Sequence, residues 1–141
     1  MTSEEFTECR DSLKAPAHEY VLLVMFAYYN HLVGTHLLRA GFVVRWTDTL
    51  EGAEARIQAA CPGVVICWIG KEELAQSPPD GLTLLRRMQT PEFGHVLSIA
   101  VVQTEEHEAQ AAAAGAKAVL VPPFAPSDLV RYVEQRLPIS K

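Results

Sequence analysis

The chain has 141 residues, 49% hydrophobic and 21% charged, which suits one domain able to bury its own core. A net charge of −5 without any cluster of Lys or Arg argues against phosphate-driven binding to nucleic acid. No apolar run approaches the roughly 18 residues of a membrane span, and the acidic start MTSEEFTECRDSLK is no secretory signal.

Residues 1–19 read as a polar extension, helical in part. From Tyr20 onward, short apolar runs alternate with helix-period stretches. YVLLVM (20–25), FVVRW (42–46), VVICW (64–68), VLSIAVV (96–102) and AVLV (118–121) are too short for helices. Their Val, Ile and Leu fall on successive positions, as in strands buried on both faces of a parallel sheet.

The stretches between carry helix signals. AYYNHLVGTHLLRAG ends at Gly41, a residue suited to the turn after a helix. DTLEGAEARIQAACPG offers Asp48 or Thr49 as N-cap and an apolar face of Leu50, Ala53, Ile57 and Ala60. DGLTLLRRMQTP has Asp80 before it and Pro91 after it. TEEHEAQAAAAGA opens on Thr104 and acids suited to a helix N-terminus, and stops at Gly115. APSDLVRYVEQRLP places Pro126 at a first helical position and Pro138 past the end. Five βα units in succession imply right-handed crossovers and a parallel sheet covered on both sides. In such folds the functional crevice lies outside the carboxyl ends of the strands.

PGVVICW, DGLTLLRRM (80–88), AGAKAVLVPPF (114–124), APSDLVRYVEQRL and LLRAGFVV (37–44) occur in an order and spacing that resembles the receiver domain of bacterial two-component response regulators. The resemblance covers residues 20–137, leaving 138–141 as a tail. It implies a flavodoxin-like, three-layer αβα sandwich with a five-stranded parallel sheet in the order 2-1-3-4-5. Receivers phosphorylate an aspartate. They need an acidic pair after strand 1 and the acceptor Asp after strand 3 to hold Mg²⁺, a hydroxyl after strand 4 and a Lys after strand 5. Mg²⁺ demands hard oxygen ligands, the nucleophile must be a carboxylate, and the transferring charge needs fixed partners.

Every one of those positions is altered. Counting back from Gly41, the acidic pair falls on Val24 and Met25, or on Met25 and Phe26 with a shift of one. The acceptor falls on Trp68, and a slip in register offers only Cys67 or Ile69. The hydroxyl becomes Ala100, the lysine Pro122, and the aromatic three residues before that lysine Val119. The four aspartates, Asp11, Asp48, Asp80 and Asp128, end no strand in this reading. Trp68 is therefore expected to plug the abandoned pocket against Met25, Phe26 and Ala100, a burial contributing on the order of 2–3 kcal/mol. Val24, Met25, Trp68, Ala100 and Pro122 should converge with no metal between them. The resemblance also suggests a cis Pro122–Pro123 bond.

Other features carry less chemistry. The segment IGKEELAQSPPDG (69–81) is about five residues longer than receivers usually have there, as a surface insertion or a partner-binding lid would be. NHLVG (30–34) resembles part of the cobalt-ligating motif of cobalamin-binding domains, but Tyr29 stands at the motif's Asp. The five histidines show no i,i+4 pair, so a zinc site lacks support. Cys9, Cys61 and Cys67 share no C-x-x-C spacing and read as free thiols of a reducing cytoplasm. Glu105, Glu108, Arg131, Tyr132, Gln135 and Arg136 mark the helix 4/strand 5/helix 5 face that receivers use for contacts.

The expectation is a cytoplasmic pseudo-receiver in bacterial signalling that is no enzyme, needs no cofactor and acts through a protein partner or a homodimer, with neither nucleic acid nor membrane. The alternative is a flavodoxin-like ligand-binding domain for cobalamin, a flavin or a nucleotide. No glycine-rich phosphate loop follows strand 1, where the chain reads MFAYYN. An enzyme built on Cys67 or a histidine lacks a visible nucleophile–base pair.

Overall fold

Strands whose residues are apolar at both parities can be satisfied only between two helical layers. A computed structural model of the chain describes residues 20–25, 27–69, 81–93, 96–102, 105–121 and 125–135. In it β1 (Tyr20–Val24) and β3 (Val64–Ile69) are buried at every position. With β2 (Val43–Thr47), β4 (Leu97–Val102) and β5 (Ala118–Leu120) they form one parallel sheet in the order 2-1-3-4-5. The expected flavodoxin-like sandwich is the observed one. β2 lies at an edge, which is why it tolerates Arg45, whose guanidinium folds back to donate to the Val44 carbonyl at 3.0 Å.

Alternation along the strands divides the core in two. One side holds Val21, Leu23, Met25, Ile66, Trp68 and Val101 beneath α1 (Ala27–Arg39) and α5 (Pro126–Glu134), which contribute Val33, Leu37, Leu129 and Val133. The other holds Leu22, Val24, Cys67, Ile69, Ala100 and Val102 beneath α2 (Leu50–Ala59), α3 (Gly81–Arg87) and α4 (Glu105–Ala113). A 3₁₀ turn, Pro91–Phe93, precedes β4.

Helix boundaries follow from capping chemistry. Thr49, rather than Asp48, caps α2: its side-chain oxygen accepts from the Gly52 N–H at 3.0 Å. Gly41 and Gly115 take φ of +98° and +105° after α1 and α4, the left-handed turn that glycine adopts without penalty. Pro126 opens α5 as expected. The expected caps Asp80 and Thr104, and Pro138 after α5, lie outside the described residues, as do residues 1–19 and 138–141.

Candidate functional site

The carboxyl ends of β1, β3 and β4 meet in register. Val24 pairs with Cys67, Cys67 with Ala100, and Trp68 with Val101. Val24, Met25, Cys67, Ala100 and Val101 are fully buried and Trp68 is 5% exposed. None of these side chains carries an oxygen. The one ionisable group, the Cys67 thiol, is pushed up to about 12 by burial, so it stays protonated and unreactive at neutral pH.

The structure parts the residues that were expected to converge. Val24 and Ala100 face the α2/α3/α4 side with Cys67, whereas Met25 and Trp68 face the α1/α5 side. The cause is the strand period of two: neighbouring residues point to opposite faces, so Trp68 cannot share a side with Ala100, which pairs with Cys67. The residue level with Val24 and Ala100 on their own face is Cys67, the alternative that a slip of one offers. Pro122, the Pro122–Pro123 bond, Phe26 and the centre of the 69–81 insertion lie outside the described residues.

What covers Trp68 is Tyr29. The two rings stack at 4.9 Å between centroids and 21° between planes, and Tyr28 meets Tyr29 edge-on at 5.3 Å. The next residue, Asn30, is fully buried and bonds to main chain. Its Oδ1 accepts from the Met25 N–H at 3.1 Å, and its Nδ2 donates to the Met25 and Thr47 carbonyls at 2.6 and 3.0 Å. Tyr29 and Asn30 thus tie the first turn of α1 to the ends of β1, β2 and β3. The sequence signal was a polar residue where the period of α1 turns inward, but it was absorbed into the NHLVG resemblance. His31 of that motif points to solvent.

A receiver's Mg²⁺ would sit at this edge. Among the described residues the donors do not suit it: the side chains are alkyl, thiol, thioether and indole, and the Met25 carbonyl is already held by Asn30. Among the described residues no group of three His, Cys, Asp or Glu side chains is placed to hold a metal.

Clefts among the described residues lie elsewhere. Arg131, Tyr132 and Gln135 of the expected contact face line a groove of about 320 Å³ with Leu120 and Asp128, beside edge strand β5. Glu105 and Glu108 are exposed on α4, which packs against the other side of the sheet, and Arg136 lies outside the described residues. A smaller cleft of about 160 Å³ separates α2 from α3, floored by Ile57, Leu84, Met88 and Phe93 and bridged by the Arg87–Glu54 ion pair. No described helix is long and apolar enough to cross a membrane.

No family model and no curated protein sequence matches the chain. Solved structures do. The chemotaxis protein CheY4 of Vibrio cholerae is 22% identical with a TM-score of 0.69, over 87% of this chain and 100% of its own. The receiver domain of NtrX from Brucella abortus is 25% identical with a TM-score of 0.67, over 82% and 95%. HP1043, an orphan response regulator of H. pylori, is 19% identical with a TM-score of 0.65, over 86% and 99%. The chain has the CheY-like fold of response regulator receiver domains.

Proposed function

We propose that this receiver-fold domain is a phosphorylation-independent pseudo-receiver, an interaction module of two-component signalling in the bacterial cytoplasm and not an enzyme. One observation carries the reading. The strand ends where receivers hold an acidic pair and an acceptor carboxylate bear Val24, Met25, Cys67 and Trp68, all buried and none able to take a phosphoryl group or a hard cation. The Tyr29 stack and the Asn30 bonds occupy the space and main-chain groups that such chemistry would use. A domain held in one arrangement signals by what it binds rather than by what it becomes. The groove beside Arg131, Tyr132 and Gln135 is a candidate contact surface for a partner protein or a second copy. Among the similar structures, an orphan response regulator has the same architecture.

The test is a titration with Mg²⁺ and beryllofluoride, an acyl-phosphate mimic, read by Trp68 and Trp46 fluorescence. No saturable change is expected. A Mg²⁺-dependent, saturable change would reject the reading.

A further inference from the structure

Tyr28 is 71% exposed, the one large hydrophobic side chain in that state among the described residues. It is also held in place, with its ring set edge-on against Tyr29, which is stacked in turn on Trp68. A rigid aromatic standing in water is the kind of residue that anchors protein contacts, because little side-chain entropy remains to be lost.

Its surroundings narrow the partner. α1, AYYNHLVGTHLLR, contains no acid in a chain of net charge −5, and its outward residues at helical spacing from Tyr28 include His31 and Arg39. α4, EEHEAQAAA, is the reverse. Glu105, Glu106 and Glu108 are exposed in its first turn, its last turn holds no base, and Ala109, Ala112 and Ala113 leave a flat exposed apolar strip beside the acids. Tyr28 and Thr35 are two turns apart, as are Ala112 and Glu105, roughly 10 Å along either helix. Laid antiparallel, α1 of one copy would set the Tyr28 ring on the Ala112 strip and bring Arg39, one turn further on, within reach of Glu105 and Glu108.

We infer that the occupant of the α1 face is a second copy of this chain, docked by its α4 face. The two faces lie on opposite sides of the sheet, since α1 packs on one core cluster and α4 on the other. Each copy therefore offers one donor and one acceptor surface, and the contact is head-to-tail rather than two-fold. This inference rests on the reading that the domain works through contacts, and it names the partner. It also moves the contact from the groove beside β5 to the faces of α1 and α4.

The experiment is sedimentation of the full chain across concentration and ionic strength, with two surface variants. At low salt the average mass should climb above the 15.5 kDa of one chain as concentration rises. It should fall back as added salt shortens the screening length, with about tenfold weaker association between 0.01 M and 1 M ionic strength. Tyr28→Asp spoils only the α1 face and Ala112→Glu only the α4 face. Each alone should be monomeric with an unchanged circular dichroism spectrum, and an equimolar mixture should form a one-to-one pair that grows no further. Wild-type protein monomeric at every concentration in low salt overturns the inference. So does an Ala112→Glu protein that associates like wild type, or a mixture that stays monomeric. None of these readouts depends on Mg²⁺ or a phosphoryl mimic, so the outcome is separable from that of the fluorescence titration.

Discussion

Asn30 is the polar residue on which the carboxyl edge of the sheet most depends, and replacing it separates its hydrogen bonds from its volume. Asn30→Leu keeps the size and removes three bonds to main chain. At about 1 kcal/mol net for each bond the loss is about 3 kcal/mol, and it rises toward about 5 kcal/mol where the Met25 N–H is left dry. For a domain of this length that corresponds to a melting temperature lower by about 10 °C. Asn30→Asp is the sharper probe. One carboxylate oxygen can still accept from the Met25 N–H, but the other would face the Met25 and Thr47 carbonyl oxygens, which repel it unless it carries a proton. The folded-state pKa of the new carboxyl must therefore lie above the ordinary value of about 3.9. A raised acid pKa means that native stability is intact below the unfolded value and is lost as pH climbs through the folded one. Urea unfolding of Asn30→Asp between about pH 4 and about pH 8 should show stability relative to wild type falling as pH rises. A difference that stays flat with pH, or an Asn30→Leu protein within about 0.5 kcal/mol of wild type, would refute the clamp.

Further outcomes follow from the same geometry. Gly81→Ala should destabilise by at least about 2 kcal/mol in denaturant titration, because a Cβ there overlaps the Trp68 carbonyl oxygen, a backbone atom that cannot step aside; a neutral substitution would show that β3 and α3 can part. Trp68→Ala should cost about 3–5 kcal/mol. A double-mutant cycle with Tyr29→Ala should recover a coupling of about 1 kcal/mol for the stacked pair, and additive effects would mean that the stack contributes nothing. Under native conditions a small alkylating reagent near neutral pH should modify half-buried Cys61 and leave Cys67 intact until the protein unfolds, since burial holds that thiol up at about 12. Equal labelling rates would show that the carboxyl end of β3 admits solvent and reagent.

The fold was readable because its signals are local and redundant. Short runs that are apolar at both parities, as β1 and β3 are, mark strands covered on both faces, and the glycines at 41 and 115 stop their helices by a backbone need that no other residue meets as cheaply. Matching the chain to the receiver pattern also placed Val24, Met25, Trp68 and Ala100 toward the carboxyl ends of their strands. It did not place them on the correct sides. Counting from Gly41 and Gly115 fixes how far along a strand a residue lies, whereas its face depends on the parity of pairing with its neighbour. A shift of one residue exchanges Cys67 for Trp68. Tyr29 and Asn30 were missed for a different reason. Their roles lie in contacts to Trp68, Met25 and Thr47, and only the tertiary structure joins those residues. A buried asparagine has no sequence signature apart from sitting on the inward side of a helix.

Covalent uptake of a phosphoryl group tests the central claim most directly. Incubating the whole chain with acetyl phosphate and Mg²⁺, and reading its intact mass under conditions that preserve acyl phosphates, should return the unmodified mass at every time point. A phosphorylated species that forms with Mg²⁺, and is lost on base treatment as an acyl phosphate would be, would contradict the account.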